Sequence, residues 1–281
     1  MITSQVCTLF ILMQNVSVII PTFNRAHLIE QSVSSVLTQT LKPTEVIVVD
    51  DGSNDKTWDI LKNLGFSLSG SQENTLRYLY KENGGVSSAR NVGIELSSSE
   101  YVALLDSDDQ WKPTKLEAQL SSLEREKFSC RVSHTDEIWI RNGIRVNQHK
   151  KHSKAGGDLF EKCLKMCCIS PSSALIHRSV FDDLGSFDEK LKACEDYDFW
   201  LRYCAFEKTH FLNEPLTIKN GGHSDQLSQA YWGMDRFRIY SLEKLLQNRK
   251  LTRSKYQLAL TELLRELKIL QNGSIKLSNS K

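Results

Sequence analysis

The sequence predicts an α/β fold: a mostly parallel sheet flanked by helices, followed by a helical C-terminal region. Three observations carry this. Short continuous apolar runs alternate with helix-period segments through the first half of the chain. Polar loops rich in Asp, Asn and Gly follow each apolar run. Leucines at helical spacing dominate residues 231–271.

Residues 16–20 read as a buried strand, being apolar at nearly every position. Leu28, Ile29, Val33, Val36 and Leu37 mark one face of a helix. Residues 45–49 form a second strand, and Trp58, Ile60, Leu61 and Leu64 a second helix. Residues 76–80 form a third strand, Val86, Ala89, Val92, Ile94 and Leu96 a third helix, and residues 101–105 a fourth strand. This βαβαβαβ order requires crossover connections, hence a parallel sheet with helices on both faces. The pattern then changes. Pro113 suits the first turn of a helix carrying Leu116, Leu120 and Leu123. Residues 137–146 alternate around Asn142-Gly143, a strong hairpin signal. Further helices are predicted near 158–166 and 195–206, and in 231–271, where Leu242, Leu245, Leu246, Leu258, Leu260, Leu263, Leu264 and Leu267 recur. There is no repeat and no linker long enough to separate two domains. One domain is expected over 15–230, its halves being 15–112 and 113–230, with helices and a tail over 231–281.

Composition bounds the function. The chain has 281 residues, 40% hydrophobic and 25% charged, with net charge +2, which implies neither a nucleic-acid partner nor an acidic tail. His149-Lys150-Lys151-His152-Ser153-Lys154 is locally basic: a solvated loop is expected, the alternative being a patch facing anionic lipid or acceptor. Seven cysteines at irregular spacing fit reduced thiols in a cytoplasmic protein. Cys163, Cys167 and Cys168 lack a matching second pair for metal binding and are expected in the core. Residues 6–13 are apolar but too short to span a bilayer and lack signal-peptide flanks. Met13 precedes the first strand directly, so residues 1–14 are expected to be an extension upstream of the fold.

Four loops follow the four parallel strands: Pro21-Thr22-Phe23-Asn24-Arg25, Asp50-Asp51-Gly52-Ser53, Asn83-Gly84-Gly85 with Ala89-Arg90-Asn91 beyond it, and Asp106-Ser107-Asp108-Asp109. In a parallel sheet these lie at one edge and converge on one crevice. Each alone has a plain explanation in turn and helix-cap chemistry; together they point to a ligand. Three carboxylates within four positions call for positive charge, and the simplest supply is a divalent cation holding a phosphate.

These loops, with Glu195-Asp196-Tyr197-Asp198-Phe199-Trp200-Leu201-Arg202, appear in the order found in family 2 glycosyltransferases, and over residues 16–205 the chain resembles that family. The resemblance implies the GT-A fold, with 15–112 binding the nucleotide and 113–230 the acceptor. Asp51 would accept a hydrogen bond from the nucleobase, and Thr22 and Phe23 would line the base pocket between Pro21 and Asn24. Asn83, Gly84 and Arg90 would steady the nucleotide. Asp106 would reach the ribose or donor sugar, and Asp108 would hold Mn²⁺ or Mg²⁺. Asp109 would be structural, capping the next helix. Asp196 would be the base that deprotonates the acceptor hydroxyl, with Glu195 supporting it or binding acceptor. His223 would contact the diphosphate or complete the metal shell; an ordinary loop histidine is an equal reading. Trp111 and Trp232 would stack on sugars or simply pack.

The implied reaction is inverting, metal-dependent transfer from a nucleotide-diphosphate sugar, a UDP-sugar by preference, to a hydroxyl of a saccharide or lipid-linked acceptor in cell-surface polysaccharide synthesis. A lipid-linked acceptor would bring a cytoplasmic enzyme to the inner face of the membrane. The 231–271 helices would then be a docking face, or else core and homo-oligomer surface. The alternatives are a silent sugar-nucleotide-binding protein and a nucleotidyltransferase; the latter would carry a Gly-rich basic first loop. A Rossmann dehydrogenase would need Gly-x-Gly-x-x-Gly after the first strand, and it is absent.

Overall fold

The computed structural model describes residues 15–68, 75–222, 231 and 233–279. Its centre is four parallel strands, β1 (Val16–Thr22), β2 (Glu45–Asp50), β4 (Leu76–Tyr80) and β5 (Tyr101–Leu104), in the spatial order β4-β2-β1-β5. A two-residue strand, β3 (Ser67–Leu68), adds to β4 at the edge. Every residue of β1 and β2 is buried. Both faces are covered, so the strands are apolar throughout rather than alternating. The crossover helices are α1 (Ile29–Leu37), α2 (Thr57–Asn63) and α3 (Val86–Leu96), as the hydrophobic spacing predicts.

The two faces of β1 serve different cores. Val18 and Ile20 pack with Ile29 and Val33 of α1 and with Leu116, Leu120 and Leu123 of α4 (Lys115–Arg125). Ile19 points the other way, toward Ile94 of α3 and the larger core of the second half. Helix α3 sits so close to the sheet that a Cβ on Gly93 would overlap Ile19 Cγ2 and lie 3.3 Å from Val49 Cγ2. Ile19 is a fully buried β-branched side chain and has no room to give. Gly93→Ala is therefore expected to destabilise by about 1–3 kcal/mol despite the better helix propensity of alanine. Chemical denaturation checks this.

The second half continues the same sheet. β9 (Ala174–His177) pairs antiparallel with β5, β7 (Val132–Arg141) antiparallel with β9, and β10 (His210–Gly221) parallel with β7. The short β6 (Gln110–Trp111) closes that edge against β10, and the ladder between β7 and β10 slips around Pro215, which has no N–H to donate. β8 (Ile144–Val146) returns on β7 through Asn142 and Gly143, both at positive φ (50° and 76°), as an Asn-Gly hairpin requires. Over this half pack α5 (Phe160–Lys165), α6 (Ser179–Leu184), α7 (Glu195–Cys204), α8 (Asp235–Leu246) and α9 (Arg253–Asn279).

The helices expected over 231–271 are two, α8 and α9. Leu258, Leu264 and Leu267 of α9 are exposed, because Ala259 and Leu263 are its inward face. Cys163 and Cys168 are joined as a disulfide, which corrects the reading of all cysteines as reduced thiols. Helix α5 ends at Lys165 and Met166 is extended, so the chain turns back. The residue brought beside Cys163 is Cys168, not Cys167 one helical turn on. Among the described residues no helix is long and apolar enough to cross a membrane. Residues 1–14 lie outside the described residues.

Candidate active site

The four polar loops sit together at the C-terminal edge of β1, β2, β4 and β5, and they are tied to one another. The Asp51 N–H donates to Thr22 O at 2.8 Å. The Asn24 N–H donates to Ser53 Oγ at 2.8 Å, and Asn24 Oδ1 accepts from the Asn54 N–H at 2.9 Å. Asn24 holds a left-handed backbone (φ 51°), a conformation asparagine tolerates better than most residues. β1 is buried through Pro21 and Thr22, and Phe23 just beyond it is exposed. The buried Thr22 hydroxyl has no partner among the described residues.

Asp51 is tied into the protein by four hydrogen bonds to the third loop. Lys81 Nζ (2.7 Å) and the Gly84 N–H (2.9 Å) donate to Oδ1, and the Gly85 N–H (2.7 Å) donates to Oδ2. Asn83 Nδ2 donates to the Asp51 carbonyl at 2.9 Å. The third loop is thus folded around Asp51. Gly85, at φ 93°, makes the backbone turn that aims its N–H at the carboxylate and starts α3. Oδ2 keeps a lone pair for a further donor.

The acidic loop is divided among different partners. Asp109 is buried: it accepts from Ser172 Oγ at 2.6 Å and from the Asn220 N–H at 3.0 Å, with Lys219 Nζ at 3.7 Å. It clamps the loop to β10 and does not cap α4, whose N-cap Thr114 makes no side-chain cap bond. Burial pushes Asp109 up to about 8, against the pull of Lys219. Asp106 accepts from Arg90 Nη2 at 2.7 Å, and its N–H donates to Ser172 Oγ at 3.1 Å. Burial works to raise its pKa, but Arg90 and Lys219 hold it below the usual carboxylate range. Burial first, and then the charge of Asp106, raises the pKa of Asp108, against the pull of Lys219, Arg25 and a hydrogen bond from its own backbone N–H. Lys219 is disfavoured as a cation by burial, yet Asp109, Glu137, Asp106 and Asp108 keep it above its ordinary pKa. Asp106 and Asp109 thus have direct side-chain partners, whereas Lys219 and Arg25 act on Asp108 through space.

Arg90 joins this loop to the other half of the site. It is buried, with Nη2 on Asp106 and Nη1 on Glu195 Oε1 at 2.6 Å, and its guanidinium carbon lies 5.2 Å from the Phe187 ring centroid. Both terminal nitrogens bond carboxylates, and the buried Nε has no partner among the described residues. Glu195 in turn is a partner of Arg90, which favours the supporting role of the two foreseen for it. Next to it, Cys194 adopts a left-handed backbone (φ 61°) and launches α7 with Glu195, Asp196 and Asp198 in its first turn, where the helix dipole favours negative charge. Asp196 Oδ1 accepts from the Tyr197 N–H at 2.7 Å, and Oδ2 from the Cys167 thiol at 3.2 Å. Burial, and after it the Asp196 charge, pushes the Cys167 thiol up, so it remains an S–H donor. Asp196 is half-buried and opens into a cavity of about 290 Å³ whose walls include Trp139, Arg141, Lys154, Cys167 and Lys219.

The structure thus gathers Asp51, Asn83, Gly84, Arg90, Asp106, Asp108, Glu195 and Asp196 around one edge. Trp111 is packed: it is buried, its indole N–H donates to Ser172 O at 2.7 Å, and Lys115 Nζ lies 4.1 Å from the ring. His223 and Trp232 lie outside the described residues. Three contributors carried no role in the sequence reading. Ser172 bridges Asp106 and Asp109, Lys219 faces the acidic loop, and Cys167 holds Asp196. Charge balance was the available signal for Lys219; Ser172 and Cys167 had none.

Residues 17–185 match the family described as Glycosyl transferase family 2. The chain belongs to this family. It is similar to an uncharacterised glycosyltransferase of Rickettsia typhi, 34% identical over 76% of this chain and 66% of that one. It is also similar to the Escherichia coli UDP-Glc:alpha-D-GlcNAc-diphosphoundecaprenol beta-1,3-glucosyltransferase WfaP, 32% identical over 67% of this chain and 70% of that protein. The family 2 chain spans slightly under two thirds of the Rickettsia typhi relative and 35% of a Rickettsia conorii one. Among solved structures it superposes on S. aureus TarS residues 1–349 in complex with UDP-GlcNAc. The TM-score is 0.72 at 22% identity, covering 90% of this chain and 72% of that one, a likeness of fold. The mixed sheet with its helical C-terminal region is the GT-A arrangement of that neighbour.

Proposed function

We propose that this family 2 chain is an inverting, metal-dependent glycosyltransferase that moves a sugar from a nucleotide-diphosphate sugar to a hydroxyl of a saccharide or lipid-linked acceptor. One observation carries the reading. The Arg90 guanidinium bonds both Asp106 of the acidic loop and Glu195, the chain neighbour of Asp196, so one buried cation ties the acidic loop to the start of α7. In-line displacement needs a base on one side of the reacting carbon and a diphosphate on the other. The choice of UDP is supported by the UDP-sugar in the name of WfaP and by the UDP-GlcNAc bound in TarS.

The residues suit Mn²⁺ or Mg²⁺. Such ions bind through one or two carboxylates plus substrate phosphates, and the Asp108 carboxylate, bonded by its own backbone N–H, shows no side-chain donor among the described residues. Among those residues no three His, Cys, Asp or Glu side chains form a metal cluster by themselves. Asp108 would hold the ion, with His223, outside the described residues, as the second candidate. When bound, the ion supplies Lewis-acid neutralisation of the diphosphate.

The chain's own residues do the rest. The first three loops hold the nucleoside, with Thr22, Phe23 and Asp51 at the base. Cys167 and the Tyr197 N–H fix the Asp196 carboxylate toward the cavity. The acceptor oxygen forms its bond to the anomeric carbon, its proton passes to Asp196, and the bond to the phosphate oxygen breaks with the electron pair leaving on the nucleoside diphosphate. No covalent enzyme intermediate forms. Nucleotide release from a panel of nucleotide sugars, with and without Mn²⁺, checks this. Release is expected to depend on the metal and to fall at least about 100-fold in Asp108→Asn, as several kcal/mol of charge stabilisation are lost. Nucleotide binding with no turnover of any donor would favour a silent binding protein instead.

A further inference from the structure

The basic segment 149–154 is not used by the reaction as derived. The structure carries it to the cavity in front of Asp196. His152 and Lys154 line this space with Arg141 of β7 and Lys162 of α5. The cations outnumber their partners. Lys154 pairs with Glu137 at 3.0 Å, and Lys162 Nζ bonds the Ser153 carbonyl. Among the described residues no carboxylate pairs with Arg141 or Lys162. The cations also act on one another: burial first, and then Lys154, lowers the pKa of Lys162. Burial first, and then Lys151, His149 and Lys154, lowers that of His152.

Beside them stands an aromatic wall. The Trp139 indole N–H donates to Glu137 Oε2 at 2.8 Å, and the Trp139 ring lies 5.2 Å from that of His152. A ring fixed in this way offers a flat face to a sugar. A neutral saccharide would need the tryptophan and a few hydrogen bonds, and it would gain nothing from crowded cations. An anion would gain a great deal, because guanidinium and ammonium groups are the usual partners of phosphate. The donor's diphosphate belongs at Asp108, so the anion here belongs to the acceptor.

Resting on the transfer reaction proposed above, we infer that the acceptor is a phosphate-bearing saccharide: Trp139 stacks on its sugar ring while Arg141, His152, Lys154 and Lys162 bind its phosphate or diphosphate. The sugar hydroxyl then faces Asp196 and the phosphate lies toward the cavity mouth. A soluble sugar phosphate and a lipid-diphosphate-linked sugar share this chemistry.

The test uses the full chain and three acceptors that differ only in what the sugar carries: an alkyl diphosphate, a bare 1-phosphate, or a neutral alkyl glycoside of the same chain length. Transfer is expected to favour the alkyl diphosphate over the neutral glycoside by at least about 100-fold in kcat/KM, roughly tenfold each for Arg141 and Lys162, the two cations with no carboxylate partner among the described residues. Arg141→Ala combined with Lys162→Ala should erase most of that preference, and the charge-preserving Lys162→Arg should keep it. A 1-phosphate that matches the diphosphate assigns the site to soluble sugar phosphates; one that falls well below it assigns the site to the diphosphate-linked form. Equal rates for charged and neutral acceptors, or a preference that survives the double substitution, would overturn the inference. Calorimetric binding of the alkyl diphosphate-linked sugar separates the two claims. Variant-sensitive binding without turnover of any donor faults the reaction and leaves the cavity assignment standing; turnover blind to acceptor charge does the reverse.

Discussion

Asp196→Asn should abolish sugar transfer while leaving nucleotide binding in the presence of metal intact. The substitution keeps the shape of the side chain and an acceptor oxygen for the Tyr197 N–H, which now lies 2.7 Å from the carboxylate. It removes the capacity to take a proton and, with it, the acceptor for the Cys167 thiol. Positioned general bases contribute about 10²–10⁴-fold, so kcat should fall by roughly a thousandfold. Asp196 faces the cavity of the second half and not the nucleotide loops, so the donor affinity should hold within a factor of about two, a few tenths of a kcal/mol. Single-turnover transfer and calorimetric titration of the nucleotide measure the two quantities separately. Full transfer activity in the variant would remove Asp196 from the mechanism.

Arg90→Leu should be the most destabilising change at the site. The guanidinium is buried, and its loss leaves the buried Glu195 without its cation and Asp106 with the more distant charge of Lys219. Breaking a buried pair from one side typically costs about 3–5 kcal/mol. Asp106 is 24% exposed and recovers some hydration, so the lower end is expected here. At about 2–4 °C per kcal/mol for a chain of this size, the melting temperature should drop by roughly 10 °C. The pH dependence has a definite sign. Arg90 helps hold Asp106 below its usual range, so this part of the native stability is present above the unfolded carboxylate pKa, near 4, and is lost as the pH falls through the folded value. The gap between wild type and variant should be widest near neutrality and close on acidification. Thermal melts from neutral to acidic pH follow it.

The parallel half of the fold was legible in the sequence because a strand buried on both faces is apolar at every position. Residues 16–20 and 45–49 could hardly be anything else. Asn142-Gly143 announced its hairpin for an equally local reason, positive φ at two successive positions. The antiparallel half was less legible. β9 spans four residues, Ala174–His177, and follows a serine-rich stretch that reads as loop. β10 carries Asn213, Glu214 and Pro215 in its middle, and these mask a strand whose ladder slips at that point.

The site divides along the same line. Its loops were readable because turn residues cluster after each parallel strand. The links between them were not, because each depends on residues far apart in the chain. Arg90 meets Glu195 across 105 positions, and Ser172 meets Asp109 across 63. The acidic loop illustrates the difference. Three neighbouring carboxylates call for positive charge, but the sequence does not say from where. Arg90 and Lys219 supply much of it, and Asp108 is the carboxylate proposed to hold an ion.

The anomeric configuration of the transferred sugar tests the mechanism most directly. With an α-linked UDP-sugar as donor, single displacement with Asp196 as base forms the β-glycoside, read from the anomeric coupling constant in the proton NMR spectrum of the product. An α-linked product would contradict direct attack by the acceptor and the roles assigned to Asp196 and the Arg90 bridge.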